Sequence, residues 1–249
     1  MRRALDFEEY RHAARGGIPT IIQGCEGAQW INGKIERVEE AYDRGLRVCQ
    51  LLHTLHPTVR PMGDVQDNLP PMFGGLTPFG VRVIKECNRL GILVDLAHGR
   101  YSTVLGAVKA AEQPFIVSHT SLFTETGVGM TPAWLQCRLI TKEYARAVAD
   151  SGGVVGLWRI FATLRGYVTA LKELVDVVGI DHAGIGTDTA IVAPPGVSYV
   201  PRTNSIWLDE KGGFLFAVVA EMLKQGFRQD EISKIIGGNF CRLFQRVTH

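Results

Sequence analysis

Glu26, His53, His98, His119 and Asp188 share one placement along the chain: each closes or closely follows a short apolar run. The runs are "IPTIIQG" (18–24), "LRVCQLLH" (46–53), "ILVDLAH" (92–98), "PFIVSH" (114–119) and "HAGIGTD" (182–188). Imidazole and carboxylate are side chains that ligate divalent metals and move protons. Two histidines and one carboxylate, with a position left for water, form a common hydrolytic metal shell. An ion held that way lowers the pKa of its water toward neutrality and polarises a substrate carbonyl. A further carboxylate, Asp188, could take the water's proton and pass it on. His53, outside such a ligand set, could hydrogen-bond a developing oxyanion. Each residue alone has an ordinary reading: a hydrogen-bonded loop histidine, a helix-capping glutamate, a turn aspartate. Their recurrence at strand ends is what points to a metal-dependent hydrolase. Asp95, inside its run, reads equally as a support for a ligand histidine or as a structural carboxylate.

The run "GVVGLW" (153–158) breaks the pattern by ending at Trp158, whereas His56 lies close behind His53 in "HTLHP". His12, His182 and His249 read as a helix residue, a strand-start residue and a disordered end. Between the runs lie helical patterns over 33–45, 77–91, 102–113, 141–152 and 164–179, with two more at 212–226 and 230–244. The clearest has Thr77 as N-cap, Pro78 at the first helical position and Gly91 after the last turn. Ser102 reads as the cap of the next. Strands alternating with helices mean βαβ units and a parallel sheet. Burial on both faces explains why the runs are continuously apolar. In such sheets the site forms at the carboxyl ends of the strands, where these residues fall.

The 249 residues suit one α/β domain spanning 1–249, with no composition break or repeat to divide it. At 46% hydrophobic and 21% charged, with a net charge of +2, the chain has no basic stripe for nucleic acid. Its apolar runs fall far short of a membrane span, and "MRRALDFEEY" lacks the apolar core of a signal peptide. Cys25, Cys49, Cys87, Cys137 and Cys241 are odd in number and scattered. They read as reduced, packed thiols of a cytoplasmic protein. A homodimer is the default oligomer.

The blocks "GGLTPFGVRVIKECNRLGILVDLAH", "PFIVSHTS", "GIGTD" and "EMLKQGFRQDEISKIIGGNFCRLF", with "GCEGAQWINGKIERVEEAYDRGLRVCQLLH" before them, resemble the membrane (renal) dipeptidase family of zinc metallopeptidases. The resemblance runs from about residue 5 to residue 244 and is strongest to bacterial members. It implies a (β/α)8 TIM-like barrel that hydrolyses dipeptides with a pair of zinc ions, some members accepting D-residues at the C-terminal position. By position, Glu26 is similar to the carboxylate bridging the two metals, and His98 and His119 to the histidines of the second. His53 resembles the histidine near the scissile carbonyl, and Asp188 the aspartate that binds the bridging water. Arg138 in "QCRLITKE" resembles the arginine that holds the substrate's terminal carboxylate; on residue type alone it reads as a solvated surface arginine. The family's first metal uses a His-x-Asp motif at the first barrel strand, and no such motif stands among the 25 residues before Glu26. The resemblance therefore begins near the third strand. It implies a piece of a longer chain, a mis-started reading frame, or a sheet closed by another segment or a second copy. Where the family often has a second aspartate two residues after Asp188, this chain has Thr189-Ala190. Three outcomes stay open: a dipeptidase-type hydrolase, a non-catalytic or partner-binding relative with a half-built site, and a one-metal amide or lactone hydrolase. The Pro-rich stretch from Ala190 to Gly212 is expected to wall the pocket.

Overall fold

Every apolar run forms a strand, shorter than the run itself. The computed structural model describes residues 2–56, 58–123, 133–189, 207, 210 and 212–248. A short pair, β1 (Arg2–Ala4) and β2 (Thr20–Ile22), precedes the main sheet. That sheet holds β3 (Gly24–Glu26), β4 (Val48–Gln50), β5 (Leu93–Asp95), β6 (Ile116–Thr120), β7 (Val154–Trp158) and β8 (Ala183–Gly186). They pair in chain order, all parallel, as strands linked by right-handed helical crossovers do. The first apolar run divides at Gln23, whose carbonyl accepts the N–H groups of Arg47 and Val48 at 2.9 and 3.2 Å. Glu26 is consequently the last residue of β3 rather than the first beyond it.

The connecting helices are α1 (Phe7–Arg15), α2 (Glu36–Asp43), α3 (Pro78–Leu90), α4 (Tyr101–Ala110) and α5 (Ala133–Gln136). After them come α6 (Lys142–Asp150), α7 (Leu164–Val178), α8 (Phe214–Lys224), α9 (Gln229–Ser233) and α10 (Asn239–Val247). Helix α3 starts and stops where its residues require: Thr77 Oγ1 accepts the Gly80 N–H at 3.1 Å, and Gly91 ends it at φ 74°. The expectation for α4 is corrected. Its N-cap is Arg100, not Ser102, which lies in the first turn. Arg100 is fixed there by its N–H to the Asp64 carbonyl at 3.0 Å and by guanidinium bonds to Val65 and Asp67. Tertiary anchoring overrides serine's capping preference. The helix expected over 230–244 is interrupted by a π-helical turn, Lys234–Gly238, in which Gly237 leaves helical geometry. His12 lies in α1, and His182 just ahead of β8 gives its Nδ1 to the Gly153 carbonyl at 2.7 Å. The expected end at His249 and most of the stretch from Ala190 to Gly212 lie outside the described residues.

Two apolar packings hold the sheet. One faces outward, where buried side chains of α3, α4, α6 and α7 such as Val83, Val104, Val148 and Leu171 join a core shared with Cys49, Val94, Val117 and Val155. The other lies within the curve of the sheet. Leu243 and Val247 of α10 pack on Leu93, Ile116 and Val154, the first residues of their strands. Asn239 pins that helix by giving its side-chain amide to the carbonyls of Ile180 and Ala183, both at 2.8 Å. Above this floor, Glu26, Gln50 and Asp95 stand in one register row across β3, β4 and β5. The rim of the sheet is thus the polar level, and the amino ends are the apolar one.

Candidate metal centre

The rim brings together three of the residues singled out by type and spacing. His98 Nε2 lies 3.1 Å and His119 Nε2 3.5 Å from Glu26 Oε1, and the two ring nitrogens are 2.9 Å apart. Glu26 is set by the end of β3 and His119 lies within β6. His98 arrives differently, on a tight turn after β5. Gly99 N–H closes that turn on the Leu96 carbonyl at 2.9 Å, Ala97 N–H bonds Asp95 Oδ1 at 3.0 Å, and His98 sits at φ 68°. Asp188 also has a positive φ, 48°. Such backbone costs a side-chain-bearing residue on the order of 1–2 kcal/mol, and strain of this kind gathers at functional sites.

The ring nitrogens facing away from the cluster are also held. The Ser118 N–H bonds Asp95 Oδ1 at 3.0 Å, and the Ser118 hydroxyl lies 2.9 Å from His119 Nδ1. Asp95 Oδ1 accepts both the Ala97 and the Ser118 N–H, so it clamps the backbone next to His98 and His119. Arg138 Nη1 contacts His98 Nδ1 and also donates to the His53 carbonyl at 3.2 Å. A guanidinium only donates, so His98 Nδ1 accepts, and the ring proton lies on Nε2 between Glu26 and His119. That proton sits where Glu26 Oε1 and His119 Nε2 also converge.

Electrostatics agree with this picture. The His98 hydrogen bond, ahead of the charges of the other histidines, holds the Glu26 carboxyl down to about 2. Burial lowers both His98 and His119, so each imidazole is neutral and available as a donor to a cation. Burial also lowers Arg138, without removing its charge. A tetrahedral zinc with bonds of 2.0–2.1 Å has ligand atoms about 3.3 Å apart. The separations of 2.9, 3.1 and 3.5 Å bracket that value, and neutral imidazole with carboxylate is a suitable donor set. These residues fit a metal ion.

His53 Nε2 stands 3.8 Å from Glu26 Oε1, its ring edge-on to His98 at 5.0 Å. Asp188 lines the same cavity of about 630 Å³ as Glu26, His119, Gln50 and Asp95, and its charge acts on His119. His56 does not join them: it is exposed and bonds the Thr58 hydroxyl at 3.0 Å. Sequence reasoning set Trp158 aside as the exception among strand ends, yet its ring lies edge-on to His119 at 5.4 Å. It also passed over Ser118 and Gln50, whose only signal is an inward parity shared with Glu26 and Asp95. Asp64 was missed as well. Burial would raise its pKa, but three N–H groups, from Met72, Phe73 and Gly75, hold it below the usual value. It organises the loop whose Gln66 N–H takes the His98 carbonyl at 2.7 Å.

Comparison with known proteins follows this geometry. Residues 1–249 match the family model described as membrane dipeptidase, peptidase family M19. The chain is 24% identical over 244 residues to the dipeptidase aclJ of Aspergillus oryzae, covering 94% of this chain and 53% of that protein. It thus spans about half the length of that curated relative. Among solved structures it resembles the probable dipeptidase PvdM of Pseudomonas aeruginosa, with a TM-score of 0.82 at 18% identity, covering 99% of this chain and 74% of the other. It also resembles a metallo peptidase from Rhodobacter sphaeroides liganded with a phosphinate mimic of the dipeptide L-Ala-D-Ala. There the TM-score is 0.75 at 23% identity, covering 98% of this chain and 68% of that one. The fold is the TIM-like α/β barrel type of these neighbours, of which the described residues form six consecutive parallel strands. Among the described residues, no helix is long and apolar enough to cross a membrane. The chain belongs to the membrane dipeptidase family, peptidase family M19.

Proposed function

We propose that this chain carries, in a single barrel domain, the hydrolytic centre of a zinc-dependent dipeptidase. The observation that carries the reading is the convergence of Glu26 Oε1, His98 Nε2 and His119 Nε2 within 3.5 Å of one another. Glu26, His98 and His119 would hold the ion, which supplies an activated water and a polarised carbonyl. Asp188, on the same cavity, takes the proton of the attacking water and returns it to the leaving amine. His53, on the open side of Glu26, donates to the carbonyl oxygen as charge develops there.

Arg138 receives the substrate's terminal carboxylate through its planar fork. It can hold His98 Nδ1 only while that nitrogen lacks a proton. With Nε2 given to a cation, His98 would carry its ring proton on Nδ1, and the Arg138 guanidinium would face the substrate. A free dipeptide suits this arrangement because its carboxylate and its scissile carbonyl lie one residue apart. The dipeptide mimic bound by the Rhodobacter sphaeroides neighbour supports the choice of substrate class.

The test is metal content together with turnover of a panel of L,L and L,D dipeptides. Bound zinc with dipeptide hydrolysis, both lost in the H98A/H119A double variant, supports the reading. Unchanged metal content and turnover in that variant would remove the assignment. Turnover confined to non-peptide amides would replace the substrate class.

A further inference from the structure

The ladder between β6 and β7 contains an extra residue. Val117 pairs with Val155 and Thr120 with Leu157, so three steps along β6 match two along β7. The surplus falls at Ser118-His119, the point that delivers a ligand histidine to the rim. A bulge of this kind turns a strand and re-aims a side chain. It also throws a carbonyl out of line, and the destination of that carbonyl is unusual.

Ser118 O is directed at two glycines on neighbouring strands. A Cβ built on Gly156 of β7 would lie 1.9 Å from Ser118 O and 2.8 Å from its carbonyl carbon. A Cβ on Gly186 of β8 would lie 1.7 Å from the same oxygen and 3.0 Å from His119 Cα. Neither glycine has a positive φ among the described residues, so backbone freedom does not explain them. The atom they make room for belongs to the backbone and cannot rotate away as a side chain would. On the opposite side, the Ser118 N–H is held by Asp95 Oδ1 at 3.0 Å. The peptide before His119 is therefore clamped between a carboxylate and two notches.

We propose that Gly156 and Gly186 are positioning residues of the metal centre: the absence of two side chains fixes the Ser118 peptide and, through it, His119. This deepens the proposed hydrolase reading and rests on it. Gly184 supplies the contrast. It lies two residues earlier on β8, and its added Cβ would meet a movable side-chain atom, Val154 Cγ1, at 3.1 Å.

The experiment compares G156A, G186A and G184A with the parent protein. Folding is followed by circular dichroism, zinc affinity by chelator competition, and ligand geometry by the visible spectrum of the cobalt-loaded form. G156A and G186A are expected to fold yet bind zinc at least about tenfold more weakly, with an altered cobalt spectrum. G184A is expected to retain both within about twofold. Should an alanine chain fail to fold, the comparison is made in an S118G background, where the peptide can turn its carbonyl away. There G186A should fold and bind zinc at least about tenfold more weakly than S118G alone. Parental affinity and spectrum in G156A and G186A, or an equal loss in G184A, overturns the proposal. A parent protein that binds no zinc overturns instead the hydrolase reading beneath it.

Discussion

The two halves of the site are built to different standards. On one side, His98 and His119 are buried, with the outward ring nitrogen of each held by Arg138 or Ser118. On the other, His53 is 44% exposed and stands at 3.8 Å, and Arg138 comes from the segment after α5. Neutral nitrogen donors must be preorganised, because a cation tolerates little error in ligand position. A carboxylate and a carbonyl arriving on a substrate can be met by groups that adjust.

That contrast can be broken at its strong end first. Replacing His98 and His119 by alanine should weaken metal binding by more than about a hundredfold, beyond the range of outer partners. Turnover should fall by about a thousandfold or more, as expected when an ion that stabilises charge is lost. Metal analysis after dialysis and steady-state rates check both. The adjustable side should respond differently. R138A is expected to raise KM for dipeptides by about a hundredfold, with metal affinity, which it touches only through His98 Nδ1, changed by no more than about tenfold. A kcat loss with unaltered KM would show that Arg138 serves the metal half instead.

Two smaller effects sharpen the comparison by staying out of one half. T77A removes the cap of α3, whose side-chain bonds go to Gly80 and Pro61 and to none of Glu26, His98 or His119, and should cost about 1 kcal/mol in urea unfolding with metal affinity unchanged. Glu26 gives the smallest effect, in metal-free protein. Its carboxyl is held below the ordinary value of 4.5, down to about 2. The stability it contributes is present above pH 4.5 and is lost as pH falls toward 2. Since its side chain is 42% exposed, the difference between the parent and E26Q should stay below about 1 kcal/mol and shrink with salt. Thermal melts across pH 2–6 measure it.

Much of this was legible in residue type and period. The strand runs carried Glu26, His98 and His119 to one rim because parity and parallel order leave no other end for them. Thr77, Pro78 and Gly91 bounded α3 because caps are local chemistry. The failures are equally physical. Ser102 lost its place to Arg100 because a half-buried guanidinium network fixed the chain two residues earlier. His56 lies six residues beyond the end of β4, on an exposed stretch where it bonds Thr58. The bulge at Ser118 and the notches at Gly156 and Gly186 belong to pairs of strands, and a single run does not encode its partner's register.

The turn that carries His98 has a consequence for how this protein can change. At φ 68° the backbone prefers glycine or asparagine by about 1 kcal/mol over a histidine. A library screened for thermal endurance alone would therefore drift toward glycine or asparagine at position 98, and that one substitution would remove the imidazole from the cluster with Glu26 and His119. Durability and the proposed metal centre are in competition at this one residue, so stabilised descendants worth keeping will be found only by selecting for both together.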